Sequence, residues 1–329
     1  MRFYKYGLII FLAFILGFSS CKKVAENNSS TKNKTNSKKV TKINKNDNKL
    51  SENIEFSKKK PSFETSNEAI KLRYKFKVGK KINIVHFLKM SVRYNNNLTF
   101  INTHLYGHYE TKKKLENENY ELNWVISRIT TELKFKDRKG QDKVLKYDSE
   151  SKENTLPNSE LLRTLINTSI KANVDSSGTL SELDLKSILN IMGNGSEEKL
   201  KNDISKKAEQ FVNISLILLP QNDLKVGDTY DGREGVQDNS MLKIKSKKKY
   251  TVDSISKDKK FAVLKPIIDF KLDSSNQKIN IKKNEMSGWV LFDIDKGNVK
   301  ESYTHTRISV KINKVNMKMD MKSSFKVIE

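Results

Sequence analysis

The chain has 329 residues, 63 Lys and Arg against 39 Asp and Glu, a net charge of +24 and one cysteine. A single thiol excludes an internal disulfide, and no apolar run reaches the eighteen or so residues of a membrane-crossing helix. The 36 % of hydrophobic residues suffices for sheets with one wet face, which predicts an antiparallel fold.

In chain order, Arg2 and Lys5 precede an apolar stretch from Leu8 to Phe18, then Ser19, Ser20 and Cys21. A basic flank and a short apolar segment are the pattern of an export signal. The run ending in Cys21 resembles the lipobox of bacterial lipoproteins, with Phe18 where Leu is usual. That resemblance implies cleavage before Cys21 and acylation of its thiol. Each buried acyl methylene contributes roughly 0.8 kcal/mol, enough to hold a protein on a membrane surface without a spanning helix. An ordinary signal with an incidental cysteine, or an uncleaved anchor, are the competing readings.

Residues 22 to 61 hold twelve Lys and four acids and almost no aromatics. Such a segment cannot bury enough surface to offset chain entropy, so it is expected to be a disordered tether. The remaining basic excess is dispersed and mostly Lys, with no recognition-helix or RNP-like pattern, which argues against nucleic acid as partner. Anionic headgroups or acidic envelope polymers fit such a surface better.

Period-two alternation dominates the chain beyond the tether. In "KINIVHFLKMSVRY" one face carries Ile82, Ile84, His86, Leu88, Met90, Val92 and Tyr94, and in "YELNWVISRITTELKF" another carries Tyr120, Leu122, Trp124 and Ile126. A turn is expected at "DRKGQ" before Gly140. The middle of the chain changes period: "ELLRTLINTS", "LKSILNIM" and the stretch from Ser196 to Phe211 read as amphipathic helices. Between the first two, "KANVDSSGTLSEL" reads as a short hairpin turning at Asp175 to Gly178. Strands resume with "MLKIKSKKKYTVDSI", "KKFAVLKPIIDFKL", "KINI", "SGWVLF" and "GNVKESYTHTRISVKI". "VNMKMDMKSSFKV" closes the chain, with Val315, Met317, Met319, Met321, Ser323, Phe325 and Val327 alternating against polar residues. "FKVGKKINI" and "LKVGDTYDG" echo one another and hint at an internal duplication.

The expected organisation is a signal peptide over residues 1–20, Cys21 and tether over 21–65, and a β-rich domain over 66–329. That domain comprises a strand block 70–150, a helical insert 157–215 and a strand block 224–329. The fold class is mainly β (α+β): antiparallel, curved sheets or a half-barrel with central helices. In order and spacing, "YKFKVGKK", "YELNWVISRI", "YDSES", "ANVDSSGTLSEL", "LPQNDLKVGDTY", "YTVDSI" and "SGWVLFDIDKGNVKES" resemble a family of exported lipoproteins of the Bacteroidota, defined by a domain of unknown function. The resemblance covers roughly residues 70 to 329 and implies an envelope lipoprotein with no catalytic motif. In outline the architecture is also similar to half-barrel lipoprotein carriers. In that phylum surface display is associated with acidic residues after the cysteine. Here only Glu26 is near, which favours the periplasmic side of the outer membrane.

Candidate chemistry is sparse. His104 and His108 would share a strand face, but two imidazoles need further ligands to hold a metal. Met317, Met319 and Met321 could offer thioethers to Cu(I). The same stripe continues through Phe325 and Val327, so packing is the favoured role and no metal or other cofactor is expected. The pairs Asp148 with Glu150 and Asp293 with Asp295 lie beside turns and read as solvated ends. With no catalytic elbow, metal motif or phosphate loop, the chain is not expected to be an enzyme. The expected function is a lipid-anchored envelope protein binding an apolar ligand, a lipid or lipoprotein acyl chain, or an envelope partner. Trp124, Met317, Met319, Met321 and Phe325 are the cavity candidates and Cys21 the lipidation site. The alternative is a structural or adhesion lipoprotein that holds acidic polymers or a membrane complex through a basic face.

Overall fold

The computed structural model describes residues 57–329 except 95–96, 138, 158, 188–189, 191–207, 209–210, 214, 239–242, 274–278, 313–314 and 329. Cys21 and the apolar stretch before it lie outside the described residues, as do most of the second and third expected helices. Strand makes up 64 % and helix 5 %, and the strands form one open antiparallel, curved sheet. The expectation of a curved antiparallel β fold holds, and the two strand blocks share one sheet.

The twelve strands among the described residues are β1 (Lys81–Tyr94), β2 (Asn97–Lys114), β3 (Asn119–Lys136), β4 (Asp142–Asp148), β5 (Ser169–Asp175), β6 (Leu180–Asp184), β7 (Thr229–Asp238), β8 (Lys243–Ile255), β9 (Phe261–Asp273), β10 (Ile279–Asp293), β11 (Asn298–Ile312) and β12 (Val315–Ile328). They run β6-β5-β3-β2-β1-β12-β11-β10-β9-β8-β7, with β4 beside the far half of β3. Two meanders therefore meet where the first strand pairs the last, from Asn83↔Ile328 to Tyr94↔Met317.

Turn chemistry sets the registers. Gly140, at φ 77, closes β3–β4 while Asp137 Oδ1 accepts from the amides of Lys139 and Gln141. The expected hairpin at Asp175 to Gly178 is β5–β6, with Gly178 at φ 81. The two echoed segments build the same turn. Gly79 N donates to Thr111 O and Thr111 N to Lys80 O, as Gly227 N donates to Val252 O and Val252 N to Asp228 O.

Three local expectations are corrected. The helix expected over "ELLRTLINTS" shortens to α1 (Glu160–Arg163), because Asn167 turns to φ 56 and donates to Ile126 O at 2.7 Å, drawing the chain onto β3. "KINI" and "SGWVLF" are one strand, β10, crossing Gly288 at φ 144, where the nearby Tyr303 backbone leaves no room for a Cβ. Asp293 is no solvated end. It is 3 % exposed, and its Oδ1 accepts from Lys296 N at 2.8 Å inside the β10–β11 turn.

Ile70, Leu72, Tyr74 and Phe76, with Ala208, Phe211, Val212, Leu216, Leu219 and Leu224, fill the inner face of the sheet. Tyr74 lies at the centre, stacked on Phe76 at 5.4 Å and edge-on to Phe292 at 5.6 Å, while its oxygen accepts from Ile217 N. Residues 57–65, part of the stretch read as tether, cross the opposite face instead. Lys58 O accepts from Trp289 Nε1, Lys60 pairs with Asp253, and Thr65 bridges Ser256 at the sheet edge.

Candidate functional site

Alternation assigns every β1, β2, β11 and β12 side chain to one face or the other. On the inner face, register places Met286, Thr306, Met321, Met90, Ile101 and Leu133 in one row across six strands. Beside it run Ile308, Met319 and Val92. Met319 and Met321 are buried, as is Phe325, and Met317 at the strand's end is half-buried. The stripe expected along β12 is thus one side of an apolar surface extended by Met90 and Met286. Those two partners are invisible in the sequence, since only strand register brings them beside Met321. The three β12 thioethers face apolar neighbours, and among the described residues no three His, Cys, Asp or Glu converge as metal ligands.

Trp124 lies at the other end of this surface. It is fully buried beside Tyr109 at 5.6 Å, and its Nε1 donates to Ser215 Oγ at 2.9 Å. Gly107, in a bulge of β2 against β3, admits the Phe211 ring. Here the inner face is occupied by the protein's own chain. Buried polar groups accompany this packing. His86 Nε2 is 2.8 Å from Ser323 Oγ, and burial pushes the imidazole down to about 4. Asn213, 4 % exposed on the helical stretch above, finds no protein partner for either side-chain polar atom.

The sheet is not continuous beside the methionine row. β9 pairs with β10 only from Phe261↔Asp293 to Leu264↔Val290, while β8 pairs with β9 along its whole length. The β9–β10 ladder stops two residues before Pro266, a residue that has no amide to donate. Met286 lies on β10 four residues beyond the last residue of that ladder, Val290.

The outer face is chemically different. His104 and His108 do share it, but His104 lies 4.7 Å from the Phe87 ring, and burial with the nearby Arg128 charge lowers its pKa. Arg128 bonds Asp148 at 2.8 and 3.2 Å and approaches Glu150 at 3.4 Å, so this acid pair shares one guanidinium. Burial opposes the Asp148 charge, yet bonds from Arg128 and the Glu150 amide hold its carboxyl below the usual range. At the sheet end where β1 meets β2 lies a hollow of about 950 Å³, lined by Ser91, Arg93, Leu98, Phe100, Lys283, Arg307 and Lys318 among others.

No family model matches the chain, and neither does any curated protein. Among solved structures, a lipovitellin chain from a study of lipid–protein interactions superposes with TM-score 0.44 at 9 % identity, over 78 % of this chain and 26 % of that one. The chain thus spans about a quarter of that protein's length. An outer membrane channel from Pseudomonas putida F1 gives TM-score 0.24 at 8 % identity, over 78 % of this chain and 97 % of the channel.

Proposed function

We propose that this chain is a non-enzymatic, lipid-anchored protein of the cell envelope, held to the outer membrane on its periplasmic side by acylated Cys21. In this reading it binds an apolar ligand, a lipid or the acyl chain of a lipoprotein, against the inner face of its sheet. The observation that carries the reading is the inner-face row in which strand register sets Met286, Met321 and Met90. Flexible thioethers adapt to irregular apolar shapes, which suits hydrocarbon chains of varied length. The His86–Ser323 pair, on the same strands as Met90 and Met321, supplies polar groups for the ligand's headgroup end. The resemblance to exported lipoproteins and the sequence around Cys21 supply the location.

Two measurements test this. The chain isolated from its host should carry stoichiometric lipid, identified by mass spectrometry of an organic extract, and Met286→Lys should abolish that lipid while leaving the melting temperature near that of the parent. Lipid-free protein from the native source would overturn the ligand assignment. Separately, Cys21→Ser should leave the membrane fraction, and unchanged fractionation would overturn the anchor.

A further inference from the structure

We infer that the basic hollow on the outer face is a docking site for the anionic phospholipid headgroups of the membrane that holds the chain. The inference rests on the lipid-anchor reading and deepens it.

The lining residues Ser91, Arg93, Leu98, Phe100, Lys283, Arg307 and Lys318 alternate with the buried ones, so they occupy the face opposite the core. Five cations line the hollow, Arg93, Lys282, Lys283, Arg307 and Lys318, against one acid, Asp320. Glu285 lies beside it, 2.9 Å from Lys283 and 3.7 Å from Arg307, and Asp320 is 3.9 Å from Arg307. No ion pair or hydrogen bond engages the Arg93 or Lys318 side chain among the described residues. These two are direct cross-strand partners in the β1–β12 register. Like charges placed directly opposite destabilise a sheet, so the pair has a cost that a bound anion would offset. Phe100, 42 % exposed, gives the cationic hollow an apolar wall with Leu98. A cationic rim beside an exposed aromatic is the chemistry of a headgroup and its adjoining glycerol region.

The tether leaves from this same face. Ser57 N donates to Glu301 Oε1 on the outer face of β11. Arg307 is six residues further along that strand, about 20 Å away. The tether expected over residues 21–56 has a coil reach of roughly 30 Å. An anchor of that reach lets this face lie flat on the bilayer, where even weak headgroup contacts gain from high effective concentration.

The test is flotation of the full chain with vesicles of phosphatidylcholine alone and of phosphatidylcholine mixed with phosphatidylglycerol, at low and physiological salt. The parent chain should favour the anionic vesicles. Arg93→Gln/Lys318→Gln should lower that preference roughly tenfold or more, since each surface cation contributes about 1 kcal/mol. Lys71→Gln/Lys77→Gln, which removes the same charge from exposed sites elsewhere, should preserve it. Both changes lie on exposed side chains, and relief of the opposed pair should leave the Arg93/Lys318 variant's melting temperature equal or higher. An equal fall in both variants, or in neither, would overturn the hollow as the site. Equal flotation on both vesicle types would overturn headgroup docking while leaving the anchor intact. No flotation on either would overturn the anchor reading as well.

Discussion

His86 and Phe87 are neighbours on β1 and live in different solvents. His86 points into the core, bonded to Ser323, with its pKa driven down to about 4 by burial. Phe87 points outward, its ring tilted against His104 on a face that carries Arg128, Asp148, Glu150 and the strap of residues 57–65. One pleat separates a face where a single atom out of place is expensive from one where charges exchange partners with water. Val85, Val263 and Trp289 are buried yet take no part in the main core, so apolar residues are also buried apart from it. The inner face should therefore govern stability, and the outer face association.

The largest effect should come from Gly107→Val. A Cβ at Gly107 would sit 2.5 Å from Val125 O and 3.2 Å from the Phe211 ring, and a strand backbone cannot retreat as a flexible side chain can. Overpacking of this kind costs about 3 kcal/mol or more, since the bulge itself would have to rebuild. Chemical denaturation should show a collapsed midpoint or no folded baseline. Parent-like stability would mean that the segment around Phe211 does not pack on this face.

Acid comes next, and it divides the faces by pKa. The His86 pKa is lowered from 6.5 to about 4, so the folded state disfavours the charged ring. Stability from the neutral ring is fully present above 6.5, declines as pH falls through the window from 6.5 to 4, and is lost below it. The total is about 3 kcal/mol for a shift of this size. His104 shifts in the same direction through burial and Arg128, but its partial exposure makes its share smaller. His86→Gln, able to keep a bond to Ser323, should flatten most of the acid limb of a stability–pH curve, and His104→Gln only a little of it. If both flattened it equally, the two faces would not differ in solvent as their burial implies.

A turn joins the two regimes and ranks third. Gly297 has φ 61, and its Cβ position is occupied by the Lys75 backbone, whose amide donates to Gly297 O at 3.1 Å. Gly297→Ala combines left-handed strain with that overlap, so about 1–2 kcal/mol of stability should be lost. Thermal melting would report it. A neutral result would show that the Lys75 segment yields, and that the inner-face packing of Tyr74 and Phe76 is less fixed than their ring contacts imply.

Much of this division was legible in the sequence. Alternation alone put Ile84, His86, Leu88 and Met90, Trp124, and Met319, Met321 and Phe325 each on one face of their own strand, because a two-residue period leaves no third choice. Turn residues at Gly140 and Gly178 fell where a positive φ was needed. The misses share a cause, which is contact between distant segments. Nothing local in "ELLRTLINTS" says that Asn167 will bond Ile126 and end the helix, and nothing local in "SGWVLF" says that β10 began back at Ile279. Pro266 stands inside a stretch read simply as a strand, and where the ladder beside it ends depends on which strand is its neighbour. Likewise Tyr94, placed by period among the core residues of β1, is 50 % exposed because the inner-face cover ends before it. The basic hollow escaped for the same reason, since Arg93 and Lys318 are 225 positions apart and become neighbours only through the β1–β12 register.

The smallest effect should come from Arg128→Gln on the outer face. Arg128 carries the bond to Asp148, which raises its own pKa, and a longer contact to Glu150. Its loss would leave two carboxylates facing one another, which sounds costly. Yet the Arg128 side chain is 23 % exposed, Asp148 31 % and Glu150 41 %, so water can replace the guanidinium. Exposed pairs contribute about 0–1 kcal/mol, and this one belongs near the upper end because two acids share it. The loss should shrink as salt rises, with carboxylate repulsion screened beyond a length of about 10 Å at moderate ionic strength. Because Asp148 is held below the usual carboxylate range, the loss should also fade as pH drops through that depressed pKa and the acid becomes neutral. A cost of 3 kcal/mol or more, unmoved by salt and acid, would mean this cluster is shielded from water, and that the outer face is covered by more of the chain than the strap from Ser57 to Thr65.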